Sequence, residues 1–306
     1  MNPEIPYYHI IGVWRSGTTL LSAILYAHPN ILSMPENNLL LYLIKNFHVV
    51  RKSGENRETQ VNRIIQILKS SYRTNYFWCV NYEKLKEFLM EGRIELTPLN
   101  IARVSALCSS FASSKSEIKL IIEKSLASTP YWHLLLRENP ETKFIYIFRD
   151  PVANTISRLR RYIHRIKNIY LAGWWWKYFH ESAIELRETH PEKVLFISYE
   201  KFIRQPQQSI NEILNFLSLE THPLLANYRR IYRSAIYRNL KIYAAHEAPP
   251  LSYLLKTFET IMGIFSEVSP QSSHRIDPEK SAIIHEICKE FFEEEQSSIV
   301  NGRSLS

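Results

Sequence analysis

The sequence predicts an α/β fold: one domain on a central parallel sheet, with a helical insertion or cap. Three observations carry that expectation. Short β-rich runs at 8–13, 119–123, 144–148 and 194–198 each give way to a helical pattern, which is the rhythm of parallel strands with crossover helices. Between about 40 and 116 no comparable strand occurs, and that stretch reads as helical and polar. The first run ends in a turn framed by two glycines, Gly12 and Gly17, that opens straight into a helix start. At 306 residues the chain is long for one domain and short for two, so 1–306 is read as a single domain.

The remaining elements follow in order. Ile31-Leu32-Ser33 is a further short strand. A helix spans 170–190, with Trp174, Trp175 and Trp176 near its start and His190-Pro191 at its end. Ile210, Ile213, Leu214 and Leu217 recur at helical spacing and predict a second helix over 207–219. The stretch 220–275 has no clear pattern, and a last helix runs from about 278 to 295. Most of the tryptophans, Trp78, Trp132 and Trp174–Trp176 among them, are expected in the core.

Composition narrows the function classes. Hydrophobic content of 45% with 22% charged residues is ordinary for a globular protein. A formal charge of +8 suits an anionic partner: nucleotide, acidic acceptor, membrane surface or nucleic acid. Cys79, Cys108 and Cys288 are odd in number and far apart, so no disulfide framework is expected and the cytoplasm is the default location. No His/Cys cluster has zinc-ligand spacing, so no metal is expected. The first six residues lack the regions of a signal peptide, and no run approaches 18 apolar residues, so no transmembrane segment is expected.

Two constellations carry chemistry. In the first, Gly12 and Gly17 have the spacing of the nucleotide-triphosphate loop G-x-x-x-x-G-K-[ST], but Thr18 stands where the lysine would reach a β/γ-phosphate. Converging backbone N–H groups at a helix start bind anions, Arg15 adds a planar fork, and Ser16, Thr18 and Thr19 add hydroxyls. The bland alternative is a plain βα turn with a Ser/Thr cap. In the second, a buried strand ends in Arg149, Asp150 caps the next helix, Pro151 fills its first turn, and Ser157 and Arg161 share one face of it. The alternative there is a capped helix with solvated basic residues, which Arg158, Arg160, Arg165 and Lys167 fit. Ligands of open parallel sheets bind at the carboxyl ends of strands. A lysine-less loop beside a separate basic pocket suits a nucleotide phosphorylated at both ends of its ribose, such as 3′-phosphoadenosine-5′-phosphosulfate (PAPS).

On these residues the chain resembles the PAPS-dependent sulfotransferases. Arg15-Ser16-Gly17-Thr18-Thr19 is similar to the family's 5′-phosphosulfate loop, and Arg149-Asp150-Pro151 with Ser157 to its 3′-phosphate motif. Ile197-Ser198-Tyr199-Glu200-Lys201-Phe202, followed by Pro206 and 213–219, is similar to a third family segment. The resemblance covers roughly 8–219 and implies a P-loop-NTPase-like three-layer fold. It implies PAPS as donor, its product PAP, no metal, and Tyr199 against the nucleotide. Members of the cytosolic aryl-acceptor type carry a catalytic histidine two residues after a strand-end lysine; Lys124 is kept here, but Leu126 stands at the histidine position. The branch resembling tyrosylprotein and some carbohydrate sulfotransferases uses a glutamate instead, and Glu36 falls 21 residues after Arg15, where that branch carries it. The resemblance therefore implies Glu36 as general base, with Lys124 and Arg15 offsetting charge at the reacting group, while a helix-start carboxylate beside Pro35 is the structural alternative.

The acceptor expected is a hydroxyl-bearing molecule (carbohydrate, lipid, phenol or peptide tyrosine), with an amine as a variant. It is selected by 37–116 and 220–275, with Ser272 or Ser273 a candidate contact to the sulfonate. Two other readings use the same residues. A nucleotide kinase or NTPase has this sheet, but it needs the loop lysine and an Asp-terminated strand for Mg²⁺. A nucleic-acid binder would use the interleaved aromatics and cations of 228–243, which we read instead as an amphipathic helix, so no nucleic acid is expected.

Overall fold

Five strands, β1 (Tyr7–Gly12), β2 (Ile31–Met34), β3 (Leu120–Lys124), β4 (Phe144–Phe148) and β5 (Val194–Ser198), form one all-parallel sheet in the order β2-β3-β1-β4-β5. The computed structural model describes residues 4–50, 55–71, 73–161, 169–222 and 225. The strands read as near-continuous apolar runs because both faces are covered. Tyr7, Ile11, Ile121, Phe144, Tyr146 and Phe148 pack on one side, and Ile10, Ile122, Ile145 and Ile147 on the other. The architecture is the three-layer P-loop-like α/β arrangement expected. Two strands, β1 and β3, shift by one residue at both ends, and β2 runs one residue further than expected, to Met34. β1 begins at Tyr7, and β3 ends at Lys124, which pairs with Ile10 of the central strand.

Helix α1 (Thr18–Ala27) follows the glycine turn, with Leu21, Ile24 and Leu25 buried on one face against the sheet. The insertion contains α2 (Leu39–Val50), α3 (Arg57–Ser70), a π-helical turn at Thr74–Trp78, α4 (Tyr82–Met90) and α5 (Pro98–Leu107). Three of these helices, α3, α4 and α5, start on chemistry legible in sequence. The side chains of Asn56, Asn81 and Thr97 each accept from a first-turn amide, and Pro98 fills the first position of α5. As expected, the described part of 40–116 holds no strand, only an isolated bridge between Val80 and Ser109.

After α6 (Trp132–Glu138) and β4 come α7 (Pro151–Arg161) and α8 (Ile169–Thr189), the latter at the expected place. The helix expected over 207–219 is the second of two. α9 (Tyr199–Arg204) stops at Gln205, and Pro206, which cannot donate, starts α10 (Pro206–Phe216). Trp78, Trp132 and Trp176 are buried, but Trp174 is 60% exposed and Trp175 is 39% exposed, so the triplet does not enter the core as a block. Helical geometry explains this, since consecutive residues point about 100° apart and only one of three faces the sheet. Cys79 and Cys108 are buried. No described helix is long and apolar enough to cross a membrane. The stretch 226–306, which contains the 228–243 segment, Ser272, Ser273, the expected last helix and Cys288, lies outside the described residues.

Gly12 has φ +147°, and a Cβ there would stand 2.5 Å from the Ile147 carbonyl oxygen of the neighbouring strand. Gly12→Ala should therefore destabilise the domain by about 1–3 kcal/mol, read by denaturant unfolding. An unchanged midpoint would contradict the close packing of β1 on β4.

Candidate active site

Every strand delivers a candidate site residue at or just past its carboxyl end, so all five meet at one edge of the sheet. The turn after β1 is the centre. Gly17 is the N-cap of α1 with φ +90°, and no side chain caps that helix, so the expected alternative of a Ser/Thr cap is not what forms. The first amides of α1 lack intrahelical acceptors and stay directed out of the helix start. A Cβ on Gly17 would lie 2.3 Å from the Tyr199 ring, so only glycine lets that ring seat on the turn. Arg15 holds φ +75°, a left-handed conformation uncommon for a residue with a side chain and found most often at functional turns. Ser16 and Thr18 are buried, and Asn154 of α7 fixes the loop by donating to the Trp14 carbonyl (2.9 Å) and to Ser16 Oγ (3.0 Å).

The turn after β4 folds against it. Asp150 Oδ1 accepts from the Ala153 amide at 2.7 Å, the cap read from sequence, and Pro151 opens α7. Arg149 donates to the Arg15 carbonyl (3.4 Å), its guanidinium lies 4.7 Å from the centre of the Tyr199 ring, and its buried Nε has no hydrogen-bond partner. Arg15 Nε donates to Ser157 Oγ at 3.0 Å. The two turns, whose Arg15 and Arg149 stand 134 positions apart in the chain, thus touch each other. The side chain of Arg161 lies outside the described residues. Glu200 supports this turn, since its carboxylate accepts from the Asp150 amide (3.2 Å) and from Ser198 Oγ (3.1 Å). Burial raises its pKa above the ordinary carboxylate value, against the pull of those hydrogen bonds.

The third group surrounds Glu36, just past β2. Arg73 donates to Glu36 Oε1 at 2.8 Å and Trp14 Nε1 does so at 3.2 Å, while Lys124 Nζ sits 3.5 Å from Oε2 and donates to Thr19 Oγ1 at 2.9 Å. Burial works to raise the Glu36 pKa. The charges of Lys124 and Arg73, with the hydrogen bonds from Arg73 and Trp14, outweigh it and hold the carboxyl below its ordinary value. Burial lowers the Lys124 pKa, with Glu36 opposing the shift and Arg73 and Arg15 adding to it. The cluster holds an ionised carboxylate, within reach of two cations, beside a loop rich in anion-binding donors. It is equipped to take a proton from one group while stabilising negative charge on its neighbour.

The structure brings Arg15, Ser16, Gly17, Thr18, Thr19, Glu36, Lys124, Arg149, Ser157 and Tyr199 to this edge. Sequence reasoning missed Trp14, Arg73, Asn154 and Glu200. Trp14 and Asn154 stand within or beside motifs that were read, and Glu200 lies inside the third motif without a role. Arg73 has no sequence signal, because it comes from the insertion and reaches the site only through packing. His28 is buried, accepts from the Asn30 amide (3.2 Å) and bonds the Glu220 carbonyl (3.1 Å), which is a structural place. A cavity of about 290 Å³ lined by Phe47, Val50, Arg57, Gln60, Glu95 and Leu96 lies in the insertion and shares no residue with this cluster.

Comparison with known proteins bears on this arrangement. The model of the Sulfotransferase family matches residues 6–223. Protein-tyrosine sulfotransferase 2 of Gallus gallus is 24% identical over 230 residues, which cover 71% of this chain and 52% of that protein. The chain thus spans about half the length of that curated relative. Among solved structures, the sulfotransferase domain from the curacin biosynthetic pathway is 21% identical, with a TM-score of 0.48 over 73% of this chain and 78% of that one. Sulfotransferase STF9 from Mycobacterium avium is 13% identical, with a TM-score of 0.47 over 96% and 77%. With a family match that runs from β1 past α10, the chain belongs to the sulfotransferase family.

Proposed function

We propose that this chain transfers a sulfonate group from PAPS to an acceptor hydroxyl, with Glu36 as general base. The observation that carries the reading is the placement of Glu36 between Lys124 and Arg73 at the edge where the Arg15 loop and the Arg149 turn meet. The residues present fit a bisphosphorylated adenosine. The uncapped start of α1, the unpartnered Nε of Arg149 and the Arg15–Ser157 pair offer donors for two anionic groups at a short separation. The family match and the tyrosylprotein relative support the same donor chemistry.

The roles follow from charge flow. Glu36 takes the proton of the acceptor hydroxyl as the acceptor oxygen bonds to sulfur and the bond from sulfur to the bridging phosphate oxygen breaks. PAP leaves with the electron pair. Lys124, Arg15 and the amides of 16–19 stabilise the charge that grows on the sulfonate and on the departing phosphate. Arg149, Ser157 and Arg161 hold the 3′-phosphate, and Tyr199, seated on Gly17 and under Arg149, orients the nucleotide. Thr18 in the lysine position of the loop favours this donor over ATP. The acceptor is a carbohydrate, lipid, phenol or peptide tyrosine.

Glu36→Gln should keep the melting shift given by 3′,5′-ADP while losing ~10²–10⁴-fold in transfer of labelled sulfate from PAPS to an accepted hydroxyl. Near-normal turnover would remove Glu36 from the mechanism, and a melting shift with Mg-ATP in place of 3′,5′-ADP would favour a nucleotide kinase. A second expectation concerns pH. The base must be ionised, and Arg73 helps hold its pKa down, so the acid limb of kcat/KM lies below the ordinary carboxylate range. Arg73→Gln removes one of those cations, so the limb should move to higher pH, and Arg73→Lys should restore part of the shift. A limb that stays in place in Arg73→Gln would show that Arg73 does not set the ionisation of Glu36.

A further inference from the structure

We infer that Glu123, a buried carboxylate outside the catalytic cluster, is the positioning residue that fixes Glu36 by capping the start of α2 from the neighbouring strand. Helix α2 begins three residues after Glu36, and its first amides need acceptors that the helix itself cannot supply. Glu123 supplies them. Oε1 accepts from the Leu39 amide, and Oε2 accepts from the Leu40 amide (3.4 Å) and from the Tyr7 hydroxyl (3.0 Å).

The segment that carries Glu36 is tied at three further points. Trp78 Nε1 donates to the Pro35 carbonyl (2.9 Å), the Asn37 amide donates to the Lys124 carbonyl (3.2 Å), and Asn38 turns the chain with φ +68°. Two of these anchors, the cap and the Asn37 bond, come from adjacent residues of β3. The same strand end that delivers Lys124 to Glu36 thus also sets where Glu36 stands.

Among the described residues, no lysine or arginine forms an ion pair with Glu123. His9 Nδ1 approaches Oε2 at 3.8 Å, but burial pushes the His9 pKa down to about 3, so its ring is neutral and shares its Nδ1 with Ser125 Oγ (2.9 Å). Lys124 extends from the next position to Glu36 and Thr19 instead. From α5, Arg103 lies close enough to Tyr7 to lower that hydroxyl's pKa, the smallest of the influences on it. The helix start is therefore the main compensation for this carboxylate, which burial raises to about 7 against the opposing pull of the amides. A buried carboxylate held only for packing would be costly, and an apolar residue of similar size would serve as well.

This inference rests on the reading of Glu36 as base, yet its direct test does not require turnover. In Glu123→Gln, a near-isosteric change, the Leu39 and Leu40 amides should exchange with solvent about 10-fold faster or more while the amides of β1 and β4 keep their protection. The Glu36 carboxyl, followed by NMR titration, should move up from its depressed value as its distances to Arg73 and Lys124 loosen. In turnover, kcat should fall with little change in KM for PAPS. Should Glu123→Gln fail to fold, Tyr7→Phe removes one hydrogen bond to the same carboxylate and should move the amide exchange and the Glu36 titration the same way, by less. Unchanged exchange at 39 and 40 together with an unchanged Glu36 titration would overturn the inference. If those two readings move as expected but no sulfate is transferred from PAPS by the wild type, the positioning role stands and the functional reading falls.

Discussion

The parallel register of the sheet is the constraint on which everything else depends. Gly12 sits beside Ile147, Ile10 beside Lys124, Met34 beside Glu123 and Phe148 beside Ser198, so five carboxyl ends are level at one edge. A parallel ladder forces this. Each strand must be re-entered from the same side, so every strand-to-helix turn falls at the same end. A slip of one residue in β3 would turn Lys124 to the other face of the sheet and put Glu123 or Ser125 in its place beside Glu36. The apolar strand interiors thus do more than fill the core: they hold the register that aligns residues from 12 to 199.

On that edge, electrostatics is arranged in pairs. The Arg149 turn and the segment that carries Glu36 are each fastened by a carboxylate from another strand end: the half-buried Glu200 holds the Arg149 turn, and the buried Glu123 holds the segment before α2. These carboxylates spend their acceptors on backbone amides rather than on arginine or lysine side chains. The Arg15 and Arg149 guanidinium groups link the two turns, Arg15 through Ser157 and Arg149 through the Arg15 carbonyl. Glu36 is the exception, since two cations and an indole converge on it and keep it ionised. A rigid scaffold with a charged, pre-arranged edge suits a reaction whose catalysis is chiefly placement and charge stabilisation.

Much of this was legible in the sequence because strong local signals coincide. Gly12 and Gly17 after an apolar run, Asp150-Pro151 after another, and Ser198-Tyr199-Glu200 after a third mark strand-to-helix turns through backbone conformation and capping, which depend on near neighbours. Glu36 was reached through family resemblance, and its alternative role at a helix start is filled by Glu123 from β3. What could not be read is what depends on contact across the fold. Arg73 meets Glu36 from a π-helical turn in the insertion. Asn154 reaches back to Trp14 and Ser16. Which of Trp174, Trp175 and Trp176 faces inward depends on how α8 lies on the sheet. The split at Gln205 could have been anticipated from Pro206, whose missing N–H ends one helix and opens the next.

The central claim is that the Arg15 loop and the Arg149 turn form one cleft that grips both ends of a bisphosphorylated adenosine. Calorimetric titration of the protein with 3′,5′-ADP, 5′-AMP and 3′-AMP under identical salt tests it most directly. The account predicts that 3′,5′-ADP binds at least about tenfold more tightly than either monophosphate, because each phosphate engages charged donors of its own. Equal affinities for the three nucleotides, or no binding of any, would contradict it.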